Sequence, residues 1–331
     1  MLASRARARG ARSREWTLDE SPRARARRDR ERRAREGESA GWSRRGRWAL
    51  GAVATLWIVF ASRGGRHARV DASGGGASSA FCARGDPLVC AHGGVVVGDE
   101  LANTRATLER ALATGVECVE IDVARTKDGE LVAMHGRDVV RFSRGELRDV
   151  GEVTRDELEM WNEGDVEALD FERAVRVAAG RGLRQITIDF KENAPLGRYG
   201  LAAAAIEATR RIGCAECVFW GKDDETIRDA IEKGAASGYV IANFSREMRV
   251  KGYDKIRKVR GARTVAVQSE MLSPALVRRA RRDGLAVHVW TVNDEKNMRR
   301  VLAHGVDGIL TDRPRELKAL ITSLRKLCDR E

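Results

Sequence analysis

Short apolar runs alternate with helical patterns along the chain from residue 88 onward. Three helices have the clearest signals, since each begins at a capping residue, ends at a glycine and is followed at once by a strand-like run. The helices are predicted over residues 223–234, 273–284 and 294–305, and the runs over 239–242, 286–292 and 308–310. Repeated strand–helix units of this kind predict a parallel sheet.

The length of this alternating region favours one closed architecture. Residues 85–331 number 247, close to the roughly 250 residues of an eight-fold βα barrel. A doubly wound open sheet is the alternative, but the sequence has neither the GxGxxG pattern nor the P-loop pattern that such sheets often carry. We therefore predict an α/β protein with a (β/α)8 TIM barrel over 85–331.

The N-terminal region differs in composition from this body. Residues 1–47 contain 16 arginines and 7 acidic residues, a net charge of +9, and the whole chain carries +12. Only +3 remains for residues 48–331, so the basic character belongs to a tail that we predict to be disordered. Such a tail binds any polyanion non-specifically, and we expect no specific nucleic-acid partner.

Residues 48–62 form an uncharged, apolar segment behind the tail. Fifteen residues rise about 22 Å as a helix, which is short of a hydrocarbon core of about 30 Å. Flanking arginines and two tryptophans extend it to a marginal span. We interpret the segment as a signal anchor that associates the protein with a membrane and places the predicted barrel outside the cytosol. A cleaved signal peptide, a transit peptide and a purely disordered extension are the alternatives.

Residues 63–84 are rich in glycine and serine and predict a flexible linker. The six cysteines of the chain leave its redox compartment open. Cys214 and Cys217 have the spacing of half a zinc site, but no second such pair completes it. We interpret them as two ordinary thiols, with pairing of some cysteines expected if the body is non-cytosolic.

Two strand-like runs carry acidic residues at alternate positions. Side chains two apart share one face of a strand, so Glu120 and Asp122 are predicted to point into the barrel, and so are Asp189 and Lys191. Buried charges are costly unless they are paired or bind a metal. The three carboxylates predict a site for a hard divalent cation, Mg²⁺ or Ca²⁺. A structural ion-pair cluster around Lys191 is the alternative.

Two histidines are expected beside these carboxylates. Asp128-Gly129 predicts a two-residue hairpin turn; closing Lys127 against Glu130 places His135 opposite Asp122. His92 ends the first strand-like run and is followed by Gly93-Gly94, a turn that leaves backbone room for a ligand. We interpret the histidines as an acid–base pair. Elsewhere, His288 shares a strand face with Trp290, either in the pocket or in the core.

These residues occur within a longer series of short motifs, which appear in the following order along the chain. They are Ala91-His92-x-Gly94, Asn103-Thr104, Glu120-x-Asp122-Val123, Thr126-Lys127-Asp128-Gly129, His135, Asp189-x-Lys191, Trp290-Thr291-Val292-Asn293 and residues 305–314. The series resembles the glycerophosphodiester phosphodiesterase family, whose members are metal-dependent (β/α)8 barrels.

The resemblance implies a role for each candidate residue. Glu120, Asp122 and Asp189 would bind the divalent cation, and His92 and His135 would act as acid and base. Lys191, Trp290, Gly93 and Gly94 would bind the substrate. That substrate would be a glycerophosphodiester, meaning a deacylated phospholipid or a lysophospholipid, cleaved to glycerol 3-phosphate and an alcohol.

The chain also departs from the family pattern. Gly93 stands where the family has a phosphate-binding arginine, Ala102 and Gly136 replace two acids, and Asp189 replaces a glutamate. Arg137 and Arg141 are the candidates to replace the missing arginine. A lyase of the sphingomyelinase D type on a similar barrel is the alternative enzyme, and a membrane-tethered pseudoenzyme that binds phospho-ligands is the alternative without catalysis. The sequence does not indicate the oligomeric state.

Overall fold

The computed structural model describes residues 79–98, 100–143, 145–147, 149–162, 167–256 and 259–329. The predicted tail, the apolar segment 48–62 and most of the linker lie outside these residues. Within the described ranges, the helices are all too short or too polar to cross a membrane.

The described chain forms an alternation of strands and helices. The strands are β1 Leu88–Ala91, β2 Cys118–Arg125, β3 Leu131–Val132, β4 Gln185–Phe190, β5 Cys217–Trp220, β6 Gly238–Ile241, β7 Thr264–Gln268, β8 Ala286–Trp290 and β9 Gly308–Thr311. The helices are α1 Ser79–Cys82, α2 Arg105–Ala113, α3 Gly136–Phe142, α4 Arg155–Met160, α5 Phe171–Ala178, α6 Leu201–Ile212, α7 Asp224–Glu232, α8 Arg246–Val250, α9 Pro274–Arg282, α10 Glu295–Leu302 and α11 Pro314–Cys328.

Eight parallel strands close into the predicted barrel. Their order is β5-β4-β2-β1-β9-β8-β7-β6, and the short β3 pairs antiparallel with β2. The barrel closes between β5 and β6, where Phe219 N–H donates to Ala236 O at 2.8 Å and Val240 N–H donates to Gly221 O at 2.9 Å. In such barrels the functional residues lie at the carboxyl ends of the strands.

The three clearest helices begin where the sequence predicts. The side chains of Asp223, Ser273 and Asp294 each accept a hydrogen bond from a backbone N–H of the first helical turn of α7, α9 and α10. This satisfies donors that a helix start otherwise leaves unpaired. The following strands lie within a residue or two of the predicted runs, since β8 ends at Trp290 and not at residue 292.

The predicted register of the β2–β3 hairpin is wrong by one residue. Ala124 pairs with Val132, and Thr126 N–H donates to Glu130 O at 3.0 Å. The loop therefore has three residues, with Gly129 at φ 93°, a conformation that glycine adopts without strain. In this register Asp122 is not opposite His135, which lies beyond the end of β3.

The folded body begins before the predicted end of the linker at residue 84. Residues 79–82 form α1, Phe81 is buried, and Cys82 is bonded to Cys328 at the end of α11. Cys90 is bonded to Cys118 across β1 and β2, and Cys214 is bonded to Cys217. The interpretation of Cys214 and Cys217 as ordinary thiols is therefore wrong.

The Cys82–Cys328 bond is expected to contribute strongly to stability, because it joins residues 246 positions apart. Closing a long loop restricts the unfolded chain most. We expect the Cys82→Ser, Cys328→Ser double variant to lose about 2–5 kcal/mol of unfolding free energy, as measured by urea denaturation. The matched Cys214→Ser, Cys217→Ser variant opens a separation of only 3 positions and should lose clearly less. Equal losses would contradict the loop argument.

Candidate active site

Three carboxylates and one amine converge at the carboxyl ends of β2 and β4. Asp122 and Asp189 are direct neighbours in the parallel register, and oxygen atoms of Glu120, Asp122 and Asp189 all lie within 4.8 Å of one another. Lys191 Nζ lies 2.7 Å from Asp122 Oδ1 and also contacts Asp189 Oδ2. The alternate apolar residues of both strands pack against the helices, so the predicted inward orientation is confirmed.

The electrostatics of this cluster are unbalanced. Burial and the neighbouring charge of Asp122 raise the pKa of Glu120 to about 8. The pKa of Asp122 moves the opposite way: burial raises it, but the charge of Lys191 and neighbouring cations outweigh burial and lower it. Negative charge on Glu120 is therefore unfavourable in the protein alone.

These residues fit a divalent cation. The donors are all carboxylate oxygens, which hard cations such as Mg²⁺ and Ca²⁺ prefer. The buried Asp189 Oδ1 has no hydrogen-bond partner among the described residues, and a cation would neutralise the charge that disfavours ionised Glu120. The other carboxylate groups are already oriented: Gly93 N–H donates to Glu120 Oε2 at 2.7 Å, and the Asn103 amide donates to Asp122 Oδ2 at 2.8 Å.

His92 directly follows β1 and contacts Asp312, the residue that directly follows the last strand, β9. Its Nδ1 is 2.8 Å from Asp312 Oδ1, and Asp312 is held in turn by the Asn293 side chain. Burial lowers the pKa of His92, but the Asp312 hydrogen bond and the nearby carboxylates outweigh burial and raise it. Because a carboxylate accepts from Nδ1–H, the lone pair of the neutral ring is on Nε2.

Asp312 is thus a positioning residue for His92. We expect Asp312→Asn to lower kcat by about 10²-fold or more and to leave the affinity for the divalent cation unchanged. The reason is that an amide neither fixes the tautomer of His92 nor raises its basicity as the carboxylate does. Steady-state kinetics and calorimetric cation titration measure the two effects. Asp294→Asn is the matched control. Asp294 caps α10 and lies outside the contact between His92 and Asp312, so this variant should retain activity. A shift of the pH–rate profile distinguishes positioning from general destabilisation.

His135 lies on the other side of the carboxylates as the residue before α3. Its Nδ1 accepts the Arg137 N–H at 3.2 Å, so the neutral ring carries its proton on Nε2. Burial and the charge of Lys191 lower its pKa to about 3. The tertiary structure brings His135 into the same pocket as His92 although the predicted strand pairing was wrong.

The pocket also contains the positively charged side chains of Arg137 and Lys222, whose positions could not be predicted from the sequence. The residues that line it are His92, Glu120, His135, Arg137, Asp189, Lys191, Trp220, Lys222, Val240, Trp290 and Leu310. Of the two candidate arginines, Arg137 lines this pocket, whereas Arg141 contacts the backbone oxygen of Glu100. Lys222 is the second residue after β5. Functional residues are common just after barrel strands, and this position is the signal that would have identified it.

The two glycines after His92 are constrained by packing. Both are buried with positive φ; a Cβ on Gly93 would lie 2.5 Å from Ala102 Cβ, and one on Gly94 would lie 2.9 Å from Leu108 Cδ2. They allow the turn to pack on α2, and Gly93 also orients Glu120. His288 is buried edge-on against the Trp220 ring, so it lies in the barrel interior below the pocket.

Fold and site together define a class of enzyme: a (β/α)8 barrel with an acidic cluster, two histidines and a lysine at one mouth fits a phosphoric diester hydrolase. Comparison with known proteins agrees. The profile described as "Glycerophosphoryl diester phosphodiesterase family" matches residues 95–193 and 203–316, well over half of the chain. The chain belongs to this family and is a glycerophosphodiester phosphodiesterase.

Individual relatives extend the match over most of the barrel. The chain is 30% identical over 254 residues to glycerophosphodiester phosphodiesterase GDPD4 of Arabidopsis thaliana, covering 73% of this chain and 75% of that protein. It is 23% identical to lysophospholipase D GDPD1 of Mus musculus, covering 68% and 83%. A glycerophosphodiester phosphodiesterase structure from Parabacteroides distasonis shares 24% identity at a TM-score of 0.59, covering 72% and 99%.

Proposed function

We propose that the protein hydrolyses glycerophosphodiesters to glycerol 3-phosphate and an alcohol, and lysophospholipids to lysophosphatidic acid and an alcohol, with a divalent cation bound by Glu120, Asp122 and Asp189. The observation that carries the proposal is the convergence of these acids with His92, His135 and Lys191 in one pocket. A related phosphodiesterase from Oleispira antarctica has been solved with the product sn-glycerol-3-phosphate, at 20% identity and a TM-score of 0.56.

The hydrogen bonds favour different roles for the two histidines. His92 offers an Nε2 lone pair backed by Asp312, the arrangement of a general base that takes the proton of the attacking hydroxyl. His135 offers Nε2–H toward the pocket, and the anionic substrate beside it raises its pKa when bound. It is therefore assigned to protonate the departing alkoxide. The bound cation would stabilise the charge that develops on the phosphate oxygens.

Lys191 and Lys222 are assigned to the phosphate. Lys191 is paired with two acids, whereas Lys222 Nζ forms no ion pair with any carboxylate in the described ranges, and burial lowers its pKa. We expect Lys222→Met to raise KM about tenfold, because a charge-assisted contact of roughly 1.5 kcal/mol is lost. Lys233→Met, on the outer surface, is the matched control in the same assay. An unchanged KM for Lys222→Met would remove Lys222 from the binding site.

Turnover assays test the proposed function directly. The full chain is offered glycerophosphocholine, glycerophosphoinositol and lysophosphatidylcholine with Mg²⁺, Ca²⁺ or chelator, and glycerol 3-phosphate or lysophosphatidic acid is measured. Cation-dependent release is expected. Absence of turnover with every substrate and cation would favour the pseudoenzyme alternative.

Hydrolysis in ¹⁸O-labelled water separates the enzyme alternatives. Direct attack by water places one label in the phosphate of the first-formed product. A lyase of the sphingomyelinase D type forms an unlabelled cyclic phosphate instead, because the substrate's own hydroxyl attacks. Accumulation of the cyclic product would overturn the hydrolytic proposal.

A further inference from the structure

The connection between β6 and β7 is unlike the other connections of the barrel. In the described part of this connection the one helix is α8 Arg246–Val250, which has five residues, none of them buried. A helix that packs no face against the barrel gains little stability from the core. Packing against the barrel therefore does not account for its exposed side chains.

The large apolar side chains that are well exposed in the described ranges lie in segments that follow strands. Val97 follows β1, Met160 lies between β3 and α5, Leu196 and Tyr199 lie between β4 and α6, and Phe244 and Val250 follow β6. Phe244 and Val250 are 60% and 78% exposed. Since β1, β4 and β6 are parallel strands of the barrel, the exposed apolar groups that follow them flank the end of the barrel that carries the pocket.

The segment after β6 is attached firmly to the site at its base. The Phe244 ring packs edge-on against the Trp290 ring of the pocket, with centroids 5.7 Å apart. Asn243 N–H donates to Gln268 Oε1 at 2.8 Å, and Tyr253 OH donates to Asp223 Oδ2 at 3.1 Å. The segment is therefore held beside the pocket while α8 faces solvent.

The charge of this segment identifies the surface that it fits. Residues 243–256 contain four basic and two acidic residues, a net charge of +2, whereas the whole of residues 48–331 carries only +3. Arg246, Arg249 and Lys251 are exposed on or next to α8, beside Val250. Basic side chains interspersed with exposed apolar ones are the pattern by which short helices bind an anionic lipid interface.

We propose that residues 243–256 dock the barrel mouth onto an anionic lipid surface, with Phe244 and Val250 entering the interface and the exposed basic residues Arg246, Arg249 and Lys251 contacting headgroups. Docking in this way turns the pocket toward the surface in which lysophospholipids reside. The contact is independent of the apolar segment 48–62 and of the arginine-rich tail. The effect of docking on turnover rests on the proposed function, whereas the docking itself does not depend on that function.

A local fluorescent probe tests the docking in the full chain. The described cysteines are all in disulfides, so Val250→Cys is labelled selectively with an environment-sensitive dye. Vesicles of phosphatidylcholine alone are compared with vesicles containing phosphatidylglycerol. We expect a blue shift and increased emission only on the anionic vesicles, and loss of that response in the Arg246→Glu, Lys251→Glu background. The same dye at Glu207→Cys on α6 should not respond, because tail-mediated binding alone does not bury that position.

Kinetics supply the second measurement. Val250→Asp should lower turnover of lysophospholipid in anionic vesicles about tenfold, because a charge replaces an apolar side chain that enters the lipid interface on docking, and leave turnover of soluble glycerophosphocholine unchanged. The docking proposal would be overturned if the probe at position 250 does not shift, or if the probes at 250 and 207 shift equally. An unshifted probe is also the result expected if this segment binds an acidic protein and not a lipid surface. Absence of turnover with a shifted probe would overturn the proposed function alone.

Discussion

The Glu120→Gln variant is expected to be more stable than the natural protein in the absence of cation, yet almost inactive. The folded protein raises the pKa of Glu120 to about 8 from its ordinary 4.5. The unfolding free energy therefore falls as the pH rises from 4.5 to about 8, because ionised Glu120 is buried beside ionised Asp122. Glutamine removes the charge and keeps an oxygen for the Gly93 N–H. At pH 8.5 with chelator we expect a gain of about 2–4 kcal/mol in unfolding free energy.

The same substitution should strongly reduce the stabilisation of the protein by the cation. A cation at 100 times its dissociation constant stabilises the natural protein by about 2.7 kcal/mol, and the variant should gain much less. We expect kcat/KM to fall about a thousandfold, because charge on the phosphate oxygens is no longer stabilised. Urea denaturation at pH 5 and pH 8.5, with and without Mg²⁺ or Ca²⁺, measures the stability terms.

Two controls make this result specific. Glu117, the residue before β2, is an exposed acid that pairs with Arg184. Glu117→Gln should change neither the unfolding free energy nor its response to cation by more than about 0.5 kcal/mol. Asp122→Asn should not stabilise, because Lys191 loses a partner at 2.7 Å. A stabilised, cation-responsive Glu120→Gln protein would show that Glu120 is not a ligand.

His92→Ala and His135→Ala are expected to respond differently to the leaving group. Loss of the base in His92→Ala should lower kcat about 10²–10⁴-fold for every substrate, since the attacking hydroxyl must always lose its proton. Loss of the acid in His135→Ala should be as severe for glycerophosphocholine, whose alkoxide must be protonated. A p-nitrophenyl ester of glycerol 3-phosphate releases a stable anion, so His135→Ala should lose less than about tenfold on it.

His304→Ala provides the control for removal of a histidine away from the pocket, since its ring contacts the Arg300 backbone oxygen of α10. Equal losses on both leaving groups for His135→Ala would contradict its assignment as the acid. The reverse pattern, with His92→Ala rescued by the good leaving group, would exchange the two roles.

The hairpin shows how local pattern and tertiary structure differ in what they determine. Asp128-Gly129 indicated a turn, and a turn is present there, but its length depends on more distant contacts. Asp128 accepts the Arg155 N–H at 3.2 Å from the start of α4, and Lys127 N–H donates to Val153 O at 2.8 Å. The approach of residues 153–155 thus accompanies the three-residue loop. These partners lie 26 or more positions away in sequence, beyond the reach of a dipeptide rule.

The amino-acid sequence by itself determined the barrel and the inward face of its acids. Helix caps at Asp223, Ser273 and Asp294 and the two-residue alternation along β2 and β4 are local properties, because they depend on dihedral preference and on the direction of neighbouring side chains. These properties were predicted correctly.

Only the tertiary structure decided which distant residues complete the site. Asp312 meets His92 across 220 positions, Lys222 and Arg137 enter one pocket from different connections, and Cys82 meets Cys328 across 246. Closure of the barrel brings the first strand beside the last and gathers the carboxyl ends of all its strands at one mouth. The sequence pattern carries no information on these distances, because each depends on the packing of every element between them.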